Sequence, residues 1–202
     1  ETGLPSELRS QLRHEDFRPY WGEILVRAQK RMDSGLLDGD ESEKEMAAFW
    51  TSRHGVIRRL EEAFETLASE VSALSVPLAL CHGDIHAWNI MIDGDRCLRV
   101  IDWDDALMAP RECDLIFIVG GLRSGLVSAE QERWFRSGYG EMQIDGRILA
   151  FYRHVRALSD IAAYAETVLL LPGLSPATKR DALGGFVSLF DPGAIVDLAA
   201  SA

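Results

Sequence analysis

Lysine is scarce in this sequence. Only Lys30, Lys44 and Lys179 occur among 202 residues, each in a helical or polar stretch rather than in an apolar strand. Cysteine is equally rare, with Cys81, Cys97 and Cys113. An odd count without Cys-x-x-Cys spacing argues against a disulfide framework or a zinc site. It points to a reducing compartment, so a cytoplasmic location is expected. No apolar run approaches the ~20 residues of a membrane helix, and no signal-peptide pattern opens the sequence. Positive charge is short as well: 21 Lys and Arg face 32 Asp and Glu, a net charge of -11. A nucleic-acid surface needs clustered cations and is not expected. The acidity suits a cationic small molecule, and it also suits plain solubility.

What is present is hydrophobic and mostly helical. Hydrophobic residues make up 47% of the chain, enough to bury a sizeable core in one substantial domain or two small ones. Apolar residues recur at spacings of three and four, which places them on one helix face. Leu4 to Leu12 reads as a short helix. Pro19 opens a second, running to about Met32, with Trp21, Ile24, Leu25 and Ala28 as its stripe. Glu41 to Leu74 is strongly helical, carrying Ile57, Leu60, Phe64, Leu67, Val71 and Leu74, and Gly55 is a candidate break. Ser128 to Gln131 resembles a capping box that opens a helix through Tyr139. Ile148 to Leu171 is the longest clean pattern, stopped by Pro172-Gly173. Ser175 to Phe190 is a further helix. No repeat, low-complexity tract or clear linker divides the chain.

The exception lies between residues 78 and 105. Leu78 to Cys81, Ile90 to Ile92 and Leu98 to Ile101 are short apolar runs, the signature of buried strands. Asp93-Gly94-Asp95 supplies a hairpin turn between the second and third. Asp84, Asn89 and Asp102 fall where these strands begin or end. Turn preference alone accounts for Asp84 and Asn89, but not for Asp102 and Asp104 as well. A carboxylate at Asp84 can accept a proton from an attacking hydroxyl. The amide oxygen of Asn89 and the carboxylate of Asp102 are the hard oxygens that magnesium prefers, with phosphates and water as its other ligands. Base, amide and acid in this order form the catalytic half of a phosphoryl-transfer site.

His82-Gly83-Asp84, then Asn89, then Ile101-Asp102-Trp103-Asp104 resembles the aminoglycoside phosphotransferase family, relatives of the protein kinases. The likeness continues into Ala109-Pro110 and Asp114-Leu115. The run from Tyr152 to Leu171, including Asp160 to Tyr164, is most similar to the spectinomycin phosphotransferase branch. The resemblance spans most of residues 4 to 200. It implies a mainly α fold with a small β-hairpin region, the large C-terminal lobe of a kinase-like fold, with helices over 4–74, catalytic and metal loops over 78–105 and a helical substrate side over 106–200. It further implies ATP as phosphoryl donor, magnesium as cofactor and a small hydroxylated, cationic substrate such as an aminoglycoside or aminocyclitol.

Carried over by position, Asp84 is the catalytic base, and Asn89 and Asp102 hold magnesium. His82 holds the catalytic loop by hydrogen bonds, and Asp114 anchors the same loop from the next helix. Asp104 either supports the metal residues or caps the helix that follows. Trp88 either lines the substrate cleft or belongs to the core. Asp104, Asp105, Asp160 and Glu166 are the acids available to a cationic substrate, and each also reads as a solvated surface residue.

The family's small lobe supplies a glycine-rich strand turn, a strand lysine and a helix glutamate. None is legible here. Gly120 to Gly125 has the wrong spacing and follows the catalytic loop. The chain therefore reads as the large lobe alone, missing its N-terminal lobe and weak or inactive by itself. The face that the absent lobe would cover suits a homodimer. Two other readings remain open. One is a non-enzymatic kinase-like binding or dimerisation module. The other is a metal-dependent hydrolase using His82, Asp84 and His86, with Asp102 and Asp104 as further ligands.

Overall fold

The computed structural model describes residues 5, 7, 10–35, 37, 41–140 and 143–202, and the protein is 57% helical. In chain order the elements are β1 (Arg13–His14), α1 (Gly22–Asp33), α2 (Glu41–Ser72), β2 (Ala79–Cys81), β3 (Ile90–Ile92), β4 (Leu98–Val100), β5 (Leu107–Ala109), α3 (Glu112–Leu115), α4 (Ala129–Tyr139), α5 (Gly146–Ala165), a π-turn (Glu166–Leu170), α6 (Pro176–Ser188) and α7 (Ile195–Ala200). Contacts group them into two units, residues 1–17 with 69–152 and residues 18–68 with 153–202. Among the described residues no helix is long and apolar enough to cross a membrane.

In the second unit the apolar stripes behave as their spacing requires. Trp21, Leu25 and Ala28 are buried along α1. Met46, Trp50, Ile57, Leu60 and Phe64 are buried along α2. That helix runs unbroken through Gly55, against the expectation of a break. An interior glycine costs about 1 kcal/mol relative to alanine, less than the burial of side chains on both sides of it contributes. Trp21 meets Phe64 edge-on at 5.1 Å, and Trp50 stacks on Phe186 at 5.9 Å. The long apolar pattern ending near Leu171 closes in the π-turn, where the Leu171 amide donates to the Glu166 carbonyl at 2.9 Å.

The first unit holds the strands. β5 lies at the centre of a three-stranded sheet in the order β1-β5-β2, parallel to β1 and antiparallel to β2, with Cys81 opposite Leu107. The three residues of β5 are all buried. β3 and β4 form a separate ribbon with Ile90 opposite Val100. Sequence reading found β2 and the ribbon but neither β1, which is two residues long, nor β5, whose end runs into Pro110 and reads as a helix start. Of the expected helix over Leu4 to Leu12, Leu4, Ser6, Leu8 and Arg9 lie outside the described residues, and Glu7 is helical. At its described end Gln11 and Leu12 are non-helical and lead into β1.

The ribbon corrects a second expectation. Its apolar residues are not buried: Ile90, Met91, Ile92 and Leu98 are exposed, Ile92 at 70%. An apolar run marks a strand; what covers the strand is a matter of tertiary packing. The turn also differs in detail. Asp93 Oδ1 accepts the Asp95 and Cys97 amides at 3.0 and 2.9 Å, and Arg96 takes the left-handed conformation at φ 60°. The aspartate side chain, rather than Gly94, organises the loop.

Ser128 caps α4 as its sequence pattern requires. Its side chain accepts the Gln131 amide, and Gln131 reaches back to the Ser128 amide at 2.8 Å. Ser128→Ala should destabilise α4 by about 1 kcal/mol. Hydrogen exchange of the first-turn amides should rise accordingly; unchanged protection would show the cap to be idle.

Candidate active site

The site is built on the loop that leaves β2. Its first constraint is steric. Gly83 has φ 85°, and a Cβ there would lie 2.8 Å from the Asp105 carbonyl oxygen and 3.3 Å from the Leu107 side chain. Only glycine fits a left-handed turn this close to another backbone segment. Gly83→Ala should cost about 2–3 kcal/mol, from backbone strain and the forced shift of residue 105. Urea denaturation followed in the isolated chain checks this; a loss below half a kcal/mol would mean the loop yields freely.

The second constraint is a double anchor. Asp114, on α3, accepts the His82 amide through Oδ2 at 2.8 Å and the Gly83 amide through Oδ1 at 2.9 Å. Burial raises the Asp114 carboxyl above the ordinary carboxylate range, and the two amide hydrogen bonds pull the other way. This is the anchoring role implied by the sequence resemblance.

His82 is buried, and both of its ring nitrogens are engaged. Nε2 lies 2.8 Å from the Ile101 carbonyl, while Nδ1 accepts the Asp84 amide at 3.3 Å. The pair of contacts fixes the tautomer with hydrogen on Nε2. The ring also rests on Trp103 at 4.8 Å. His82 thus ties the start of the loop to the end of β4.

The Asp84 carbonyl accepts Asn89 Nδ2 at 3.0 Å. That commits the amide nitrogen of Asn89 and leaves Oδ1 as the atom available to a cation. The Asn89 carbonyl in turn accepts the Ile101 amide at 3.0 Å, so Asp102 follows directly on the residue bonded to Asn89. Asp102 stands at φ 64°, a conformation uncommon for a residue with a side chain. Strain held at such a position marks a functional site more often than a structural one. One amide oxygen and one exposed carboxylate are hard donors of the kind that suits magnesium.

The remaining residues divide. Trp88 is 89% exposed, so it is not a core residue. Asp104 and Asp105 are exposed and form the turn before β5. The expectation that Asp104 caps a following helix is therefore incorrect: the next element is a strand, and α3 begins only at Glu112. Asp160 and Glu166 belong to the second unit, where Asp160 accepts Arg156 Nε at 3.0 Å and Glu166 begins the π-turn.

His86 Nε2 lies 3.3 Å from Asp84 Oδ2; sequence reading grouped the two, by their two-residue offset, only as ligands in the hydrolase alternative. Metal-hydrolase geometry does not appear. Both His82 nitrogens are engaged, and the ligand group that converges among the described residues is Cys81, Cys113 and Asp114.

Residues 10–157 match the phosphotransferase enzyme family, and the chain belongs to it. Among solved structures it is similar to the spectinomycin phosphotransferase APH(9)-Ia in complex with ADP and spectinomycin. The identity is 31% and the TM-score 0.83, over 99% of this chain and 60% of that one. The AMP-bound complex of the same enzyme matches with 31% identity and a TM-score of 0.79, over 99% of this chain and 61% of that one. The chain thus spans about three-fifths of the length of these relatives. Among curated proteins no match was found.

Proposed function

We propose that this chain is the catalytic and magnesium-binding part of an ATP-dependent phosphotransferase acting on a hydroxyl of a small cationic molecule, an aminocyclitol or aminoglycoside. The reading is supported by the hydrogen-bonded series Asp84 to Asn89 to Ile101, which ties the segments carrying Asp84, Asn89 and Asp102 to one another. Asp84 receives the proton of the attacking hydroxyl. Asn89 Oδ1 and the Asp102 carboxylate hold the cation. Magnesium, when bound, offsets charge on the phosphate oxygens during transfer. His82 and Asp114 keep the loop in register, and Asp104 adds negative charge beside Asp102. Trp88 and Asp105 are the side chains of the first unit that we assign to recognition of a cationic substrate; Asp160 and Glu166 are separate candidates on the second unit. The relative that binds spectinomycin and the acidity of this chain both favour that class.

Phosphate-gripping elements of a small lobe are part of the proposal and lie outside this chain. Alone, the chain should bind magnesium nucleotide weakly and turn over slowly, if at all. The exposed apolar ribbon of β3 and β4 favours a second reading, a kinase-like module that binds a partner or a second copy through this face. Incubating the complete protein with ATP, magnesium and spectinomycin, and weighing the products by mass spectrometry, separates the two. A phosphorylated aminocyclitol supports the enzyme. If nucleotide is bound but no aminocyclitol or aminoglycoside is modified, the substrate class fails. If no magnesium nucleotide binds, the binding module stands.

A further inference from the structure

Behind the catalytic loop lies a pair of thiols that the proposed reaction does not use. Cys81 ends β2 and Cys113 lies on α3; they are 1% and 7% exposed. Both are free. Their sulfurs and a carboxylate oxygen of Asp114 all lie within 4.8 Å of one another. One carbonyl holds both residues: Pro110 lies 3.6 Å from Cys81 Sγ and accepts the Cys113 amide at 3.0 Å. The neighbouring residues lock the same two segments together, because Asp114 carries the amides of His82 and Gly83. The thiols therefore face each other across backbones that are fixed on both sides. A metal fits this cluster poorly, since both Asp114 oxygens are already committed to those amides.

We propose that Cys81 and Cys113 are an oxidative modification site that closes to an intramolecular disulfide. Each thiol gives up one proton and one electron, and the sulfur–sulfur bond forms. An oxidant of the azo or low-molecular-weight disulfide class takes up both electrons and both protons. The sulfurs, already within 4.8 Å of each other, must approach to about 2.05 Å. Cys81 gives up only long contacts with the Ala109 and Pro110 carbonyls, at 3.7 and 3.6 Å. The closed loop contains every residue from His82 to Glu112, and so includes Asp84, Asn89 and Asp102. Burial also holds the Cys113 thiol protonated, so the reaction waits on local opening and is slow.

The test uses the chain as it is. Exposed Cys97 is first blocked with N-ethylmaleimide under native conditions. The protein is then treated with diamide, unfolded, alkylated with iodoacetamide and mapped by mass spectrometry. A linked pair of peptides carrying Cys81 and Cys113 is expected, in the monomer. The melting temperature should rise by several degrees through the constraint on the unfolded chain, and dithiothreitol should reverse it. Cys113→Ser should show neither change; should that variant fail to fold, the peptide map of the unsubstituted chain decides alone. Full iodoacetamide labelling of Cys81 and Cys113 after diamide, or links only between copies, would overturn the proposal.

Discussion

Asp84→Asn should slow phosphoryl transfer by the complete protein about a hundred- to ten-thousand-fold while leaving its melting temperature unchanged. The two halves of this expectation have separate causes. The Asp84 backbone makes the structural contacts of the loop, its amide to His82 Nδ1 and its carbonyl to Asn89 Nδ2. Asparagine keeps both, and its amide oxygen still meets His86 Nε2 where Asp84 Oδ2 now lies at 3.3 Å. Shape and local packing therefore persist. What is lost is a carboxylate that can take a proton from a hydroxyl, which an amide oxygen does not do at neutral pH. Magnesium-nucleotide affinity should hold, because Asn89 and Asp102 carry that role in the proposed site. The expected signature is a fall in kcat with the nucleotide KM unchanged. A rate within a few-fold of the parent would reduce Asp84 to a turn residue and remove the phosphotransferase reading with it.

The local chemistry of this site was legible in the sequence, and its surroundings were not. His82-Gly83-Asp84 and Asn89 sit within a few residues of one another, so their spacing carries the turn, the tautomer-fixing histidine and the oxygen donors together. The capping box at Ser128 is legible for the same reason. Pairing of Arg13 with Leu107 is different. It joins two- and three-residue strands from distant parts of the chain, and nothing in either segment names the other. Exposure of the β3–β4 ribbon was misread, because an apolar strand records propensity and not what packs upon it. Of the two roles left open for Asp104, the helix cap fails because β5 intervenes before the next helix.

The largest loss of stability should come from a contact that the sequence hides, since its partners lie 136 positions apart. Glu43→Ala should cost about 3–5 kcal/mol in urea unfolding. Glu43, in the first turn of α2, accepts Lys179 Nζ at 2.6 Å and Arg31 Nη2 at 3.2 Å. The Glu43 and Lys179 side chains are only 11% and 13% exposed. Alanine removes the carboxylate that both cations share, and most of the expected cost is the loss of that largely buried contact. Arg31 is about a third exposed, and water screens its part. The control joins the same two helices, two residues further along α2 and one along α6. Arg180 meets Glu45 at 2.7 Å, with side chains 52% and 46% exposed. Arg180→Ala should cost no more than about 1 kcal/mol, because solvent screens that pair and both side chains lose rotamer freedom in forming it. Equal losses for the two substitutions would mean that burial does not set the strength of these contacts, and that the α2–α6 junction is held by Trp50 and Phe186 alone.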